Sequence, residues 1–143
     1  MKTTLRILAI FLLLFLGFGG IYGAWMLISD PSGGKFEWSL DLLNGTPFNS
    51  FLFPGIVLLI ANGLFPIFVA VITVLKKSYA QILILFQGVL VIIWLSVQLL
   101  LNPDFFLPVT HYPSYIIGFL LVIIGLVLRK QNKLNKRKYL YAT

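Results

Sequence analysis

The chain has 143 residues, 59% hydrophobic and only 10% charged, with a net charge of +7. A soluble domain of this size cannot cover so much apolar surface, so the composition points to lipid as solvent. There is no cysteine and a single histidine, His111, which excludes thiol chemistry and disulfides and leaves too few imidazoles for a multi-histidine metal site.

Four segments are apolar enough to cross a hydrocarbon core, which takes roughly 20 helical residues. The first is placed at 5–29. Lys2 and Arg6 precede it, but its apolar run is too long for a signal peptide and no small-x-small cleavage site lies before Asp30, so it is read as a retained span. It carries Gly17, Gly19, Gly20, Gly23 and Ala24. The pairs Gly19/Gly23 and Gly20/Ala24 have the small-xxx-small spacing that lets helix backbones approach. These residues are expected to pack helices within one chain, and a homodimer through them stays open.

Between spans one and two, Asp30-Pro31-Ser32-Gly33-Gly34 is turn chemistry. The following Phe36, Trp38, Leu40, Leu42 and Leu43 are too apolar for a free loop, so this stretch is expected to lie at the membrane interface or to cap the bundle. Span two is placed at 51–75 and span three at 79–101, joined by the tight turn Lys76-Lys77-Ser78. Span four, at 114–128, is short unless it begins near His111 or continues into the basic tail 129–143. An Asx-Pro stop ends spans one and three, and a proline-marked re-entry (Pro47, Pro113) precedes spans two and four. Convergent helix punctuation explains this echo as well as an internal repeat does.

Charge sets the expected orientation. Ten of the eleven basic residues flank one face, while Asp30, Glu37, Asp41 and Asp104 all fall on the other with Lys35. Positive residues stay cytoplasmic, so both termini are expected inside. The predicted fold is an all-α integral membrane four-helix bundle of two out-and-back hairpins, forming a single domain.

No predicted span interior holds an ionisable side chain, which argues against ion-coupled transport and acid/base catalysis at depth. Amides remain. Asn62 lies near the middle of span two, and Pro66 has no N–H to offer the carbonyl four residues back, that of Asn62 itself. A buried orphan acceptor needs a partner from a neighbouring helix. Gln87 of span three is the candidate, expected to donate to Asn62 through carbonyl or side chain. Gln87, Trp94 and Gln98 share one helical stripe, predicted to face the interior with Tyr22 and Trp25 near its outer end. The stripe is either a structural polar seam fixing register or the wall of an amphipathic pocket for a lipid tail, quinone or other lipophile.

Asp30, Asp104 and His111 are the only outer groups with catalytic potential, and their spacing forms no motif, so no catalytic, cofactor or metal site is expected. Arg129, Lys130, Lys133, Lys136, Arg137 and Lys138 are read as contacts to an anionic membrane surface, each contributing about 1 kcal/mol. Nucleic acid is not an expected partner. Membrane lipids are, and a membrane-protein partner stays open.

The run Asp30-Pro31-Ser32-Gly33, then Thr46-Pro47-Phe48, then Pro54-Gly55 resembles a family of small uncharacterised four-span bacterial membrane proteins with a DPSG…TPF…PG pattern. The resemblance covers roughly residues 20–65. It departs from the pattern at Gly34-Lys35-Phe36, where such relatives more often continue into Leu-Gly. It implies a bacterial cytoplasmic membrane and carries no activity. The leading expectation is therefore a non-enzymatic accessory, scaffold or structural membrane protein. The alternative is a small lipophile-binding or transport protein with an amide and aromatic interior.

Overall fold

The structure, a computed structural model, describes residues 2–140, with side chains described to residue 134. Four helices are long and apolar enough to cross a membrane: α1 (Lys2–Ser29), α2 (Leu52–Val74), α3 (Ala80–Leu101) and α4 (Pro108–Leu140). The described residues contain no strand.

Glycine contacts fix the two hairpins. A Cβ at Gly17 would meet Ile67, one at Gly23 would meet Leu58, and one at Gly55 would meet Leu27. The partner numbers fall as α1 advances, so α1 and α2 are antiparallel. In the second hairpin a Cβ on Gly88 would come within 2.7 Å of the Gly118 carbonyl, and one on Gly125 within 2.8 Å of the Leu85 backbone nitrogen. Here α3 and α4 touch backbone to backbone. Lipid tails are as apolar as leucine, so this close van der Waals approach, and no hydrophobic expulsion from water, holds the helices together.

The two ends of the bundle differ. At the basic end Leu13, Val69, Ile84 and Leu121 are buried in one cluster with Leu12, Ile124 and Leu128, and Lys2 Nζ donates to Asn132 Oδ1 at 3.4 Å across α1 and α4. At the opposite, loop end, the 30–50 segment folds over the helices. The Ser32 hydroxyl donates to the Asp30 carboxylate, Gly33 takes φ +86° to turn the chain, and Phe51 N–H donates to the Pro31 carbonyl at 2.9 Å. Phe36 stacks on Trp38 at 4.4 Å between centroids, and Trp38 meets the edge of Phe105 at 5.0 Å. Asn102 Nδ2 donates to the Leu42 carbonyl at 3.0 Å, tying the two loops together. Of the two placements expected for this segment, capping the bundle is the one found.

Two boundaries differ from expectation. Helix α4 opens at Pro108, so Pro113 lies inside it and does not mark its start. Pro108 suits a first turn because its missing N–H is an orphan there anyway. The carbonyl that Pro113 leaves free is that of Val109, at the exposed mouth of the helix, where the loss costs little. At the other end α4 runs on through the basic segment to Leu140, so residues 129–140 continue the helix in place of a separate tail.

Candidate functional site

The middle of α2 is not α-helical. Leu59–Leu64 form a π turn in which Phe65 N–H reaches the Ile60 carbonyl, five residues back. In that register the next donor belongs to residue 66, its acceptor is the Ala61 carbonyl, and residue 66 is proline. Thus the orphaned acceptor is the Ala61 carbonyl, one residue before the Asn62 carbonyl expected from α-helical counting. Such π turns cluster at functional positions in helices.

Gln87 fills the vacancy. Its Nε2 donates to the Ala61 carbonyl and to Asn62 Oδ1, both at 3.3 Å. Both side chains are buried, Gln87 at 0% and Asn62 at 2% exposure. The backbone carbonyl can only accept, so it fixes which end of the Gln87 amide faces α2. That in turn fixes Asn62 with Oδ1 toward Gln87 and Nδ2 away from it. Asn62 Nδ2 and Gln87 Oε1 have no partner. Behind Asn62 the backbone of α1 closes tightly, since a Cβ on Gly20 would overlap the Asn62 carbonyl.

Toward the loop end from Asn62 the helices part around a cavity of about 340 Å3. Asn62 and Leu58 line it from α2, Gly19 and Gly23 from α1, Trp94 and Gln98 from α3. Its roof is Phe36, Trp38 and Phe105, and from α4 it receives His111. A second, smaller pocket of about 140 Å3 lies on the far side of Trp94 and Gln98, against Phe48, Phe53 and Val57. Trp94 and Gln98 are half-buried and form the partition between the two spaces.

His111 was missed as an interior residue. Proline punctuation placed it in a loop, but in the first turns of α4 it is 2% exposed, with Nδ1 beside the backbone of Leu107 and Nε2 unpartnered. Also missed was the bridge between Ser96 Oγ and Tyr115 OH, 3.1 Å apart, which joins α3 to α4. Tyr22 and Trp25 are not part of the site. They are 60% and 57% exposed and point away from the bundle. The Lys35 ammonium sits 4.5 Å from the Trp25 ring centroid. They belong to an exposed aromatic row, Phe11, Phe15, Phe18, Tyr22 and Trp25, spaced alternately by four and three residues.

Of the basic residues, Arg129, Lys130 and Lys133 are exposed, while the side chains of Lys136, Arg137 and Lys138 lie outside the described residues. Chemically, the interior offers uncharged hydrogen-bonding groups among aromatic and aliphatic walls. That suits the holding of a neutral amphiphile better than the making or breaking of bonds. No protein-family model matches this chain, and no curated protein or solved structure is found to be similar to it.

Proposed function

We propose that this is a multi-pass protein of the bacterial cytoplasmic membrane that binds, or passes along, a small lipophile in the half of the bundle near its loop end. One observation carries the reading: a cavity of about 340 Å3 with two deeply buried polar side chains, Asn62 and His111, on its wall and an unpartnered nitrogen on each. Ligand pockets begin at about 300 Å3 and combine apolar walls with a few placed polar groups. A seam serving only to fix helix register would instead satisfy every polar atom and leave no space. The charge sorting supports an orientation with both termini and the Lys76-Lys77 turn in the cytoplasm, which puts the cavity in the outer leaflet. The basic end of α4 then lies on the anionic inner surface. The DPSG…TPF…PG resemblance is the support for a bacterial setting. The proposed activity is binding or movement, without catalysis.

The exposed row Phe11, Phe15, Phe18, Tyr22 and Trp25 favours a second reading, a non-enzymatic accessory or scaffold protein. Its four-three spacing keeps one seam facing outward along α1, the pattern by which helices pair. One experiment separates the two. The protein is isolated from native membranes in mild detergent and everything that copurifies is identified by mass spectrometry. A lipid or quinone retained in stoichiometric amount supports the cavity reading, and a stoichiometric protein partner without a small molecule replaces it with the scaffold reading.

A further inference from the structure

The cavity has a chemical polarity of its own. Asn62 Nδ2 is a donor, by the chain of constraints from the Ala61 carbonyl through Gln87. At His111, Nδ1 lies 3.2 Å from Leu107 N and 3.1 Å from the Leu107 carbonyl. That carbonyl already accepts from the backbone N–H groups of Thr110 and His111, at 3.0 and 2.8 Å. The Leu107 N–H, in contrast, has Nδ1 as its acceptor. Satisfying both groups puts the lone pair of the imidazole on Nδ1 and its proton on Nε2. Both unpartnered polar atoms on the wall are therefore donors. The unpaired acceptor, Gln87 Oε1, belongs to a residue that does not line the cavity. No Lys, Arg, Asp or Glu lines it either, so an ionic ligand would find no counter-charge.

The two donors sit at different depths. Gln87 bonds Asn62 and its neighbour Gly88 packs on Gly118, so Asn62 is level with residue 118 of α4. His111 is seven residues nearer the loop end, which at 1.5 Å per residue is about 10 Å.

The wall between α1 and α4 is incomplete. At the basic end these helices share the core cluster as far as Leu16 and Ile117. Beyond it, the cavity rim is made of exposed residues on both sides: Phe15 and Gly19 on α1, Val109 and Pro113 on α4. A Cβ built on Gly19 would meet nothing within 4 Å. The gap is thus a side window where α1 presents no side chain.

We infer that the cavity takes an uncharged lipophile bearing carbonyl oxygens, bound through Asn62 Nδ2 and His111 Nε2 and admitted sideways from the membrane between α1 and α4 past Gly19. This rests on the lipophile-binding reading and specifies its ligand chemistry and route. Ring carbonyls of a quinone and acyl esters of a lipid share that chemistry.

The test uses the purified full chain with Trp25→Phe, so that emission comes from Trp38 and Trp94, which both line the cavity. Decyl-benzoquinone quenching reports binding directly, and dodecanoic acid methyl ester and decylbenzene are measured by displacement. At least one carbonyl probe is expected to bind about tenfold more tightly than the hydrocarbon, as two modest hydrogen bonds provide. Whichever carbonyl probe binds more tightly identifies the source. Asn62→Leu and His111→Phe should each reduce that preference to about threefold or less. Gly19→Leu should weaken all three probes by about tenfold with unfolding unchanged, because its side chain fills open space. Equal affinity for hydrocarbon and carbonyl probes in the unsubstituted cavity overturns the acceptor chemistry and leaves lipophile binding standing. Undiminished binding in Gly19→Leu overturns the route. Failure of every probe to bind removes the lipophile reading itself.

Discussion

The basic half of this bundle is filled and the loop half is hollow, although both are built from the same four helices with the same composition. In the basic half, Leu13, Val69, Ile84 and Leu121 meet at essentially zero exposure. In the loop half the large side chains that could meet at the axis are spent on a roof, with Phe36, Trp38, Phe51 and Phe105 packed on one another. The boundary between the halves is the Asn62–Gln87 pair. Hydropathy cannot distinguish a filled half from an empty one. Placement of glycine does, since Gly20, Gly88 and Gly118 sit under backbone whereas Gly19 sits under nothing.

Substituting those glycines breaks the comparison most directly. Gly88→Leu should destabilise the fold by about 3 kcal/mol or more, because the new side chain would have to displace the Gly118 backbone. Gly19→Leu should stay within about 0.5 kcal/mol of the parent. Equilibrium unfolding in mixed detergent micelles measures both, and similar losses at the two positions would erase the proposed difference between the halves.

The boundary itself should respond less strongly. Gln87→Leu removes the donor for two acceptors and is expected to cost about 1–2 kcal/mol. In a Pro66→Ala background residue 66 regains an N–H, so the Ala61 carbonyl no longer depends on α3. The cost of Gln87→Leu should then fall by about half. An unchanged cost in this double-mutant cycle would mean that the freed carbonyl is not what Gln87 serves.

At the roof, Trp38→Ala should loosen the 30–50 segment while sparing the helices. The expected sign is faster tryptic cleavage after Lys35 with little change in global unfolding. The smallest effect concerns the turn below it. Asp30 has its pKa lowered, chiefly by the Ser32 hydroxyl and further by the backbone N–H groups of Ser32 and Lys35. The folded value being depressed, the turn's contribution is present above the ordinary carboxylate pKa of 3.8 and is lost only as pH falls through the lower folded value. The Lys35–Trp25 contact, followed by Trp25 fluorescence, should accordingly persist at pH 4 and disappear in more acidic solution. With Asp30→Asn the contact should be weak at every pH.

Much of this architecture was legible in the residues. Four apolar stretches gave four helices, and Pro66 beside Asn62 pointed to an orphan acceptor served by Gln87. The register of that acceptor was not legible, because nothing in the sequence declares that Leu59–Leu64 winds with five-residue bonds in place of four. His111 was placed wrongly because Pro108 and Pro113 are both acceptable helix openers, and only tertiary packing chooses between them. The misplacement of Tyr22 and Trp25 was avoidable. Gly17, Gly20 and Ala24 define the packing face of α1, and counting from them puts both aromatics on the opposite side. The cavity itself could not be read, since an absence of side-chain volume at the axis depends on how four helices splay.

The π turn also constrains what lengths of this chain can work. It holds one residue more than an α-helix would need to cover the same rise. Deleting any single position within Leu59–Leu64 would let the helix rewind, and everything beyond it would swivel by about 100° about its own axis. Val69 and Thr73, now inward, would swing toward the acyl chains, while residues that now face lipid, such as Phe68 and Val71, would be carried toward the interior. A one-residue indel here therefore acts as a rotation, whereas the same change in the 30–50 loop would only alter slack.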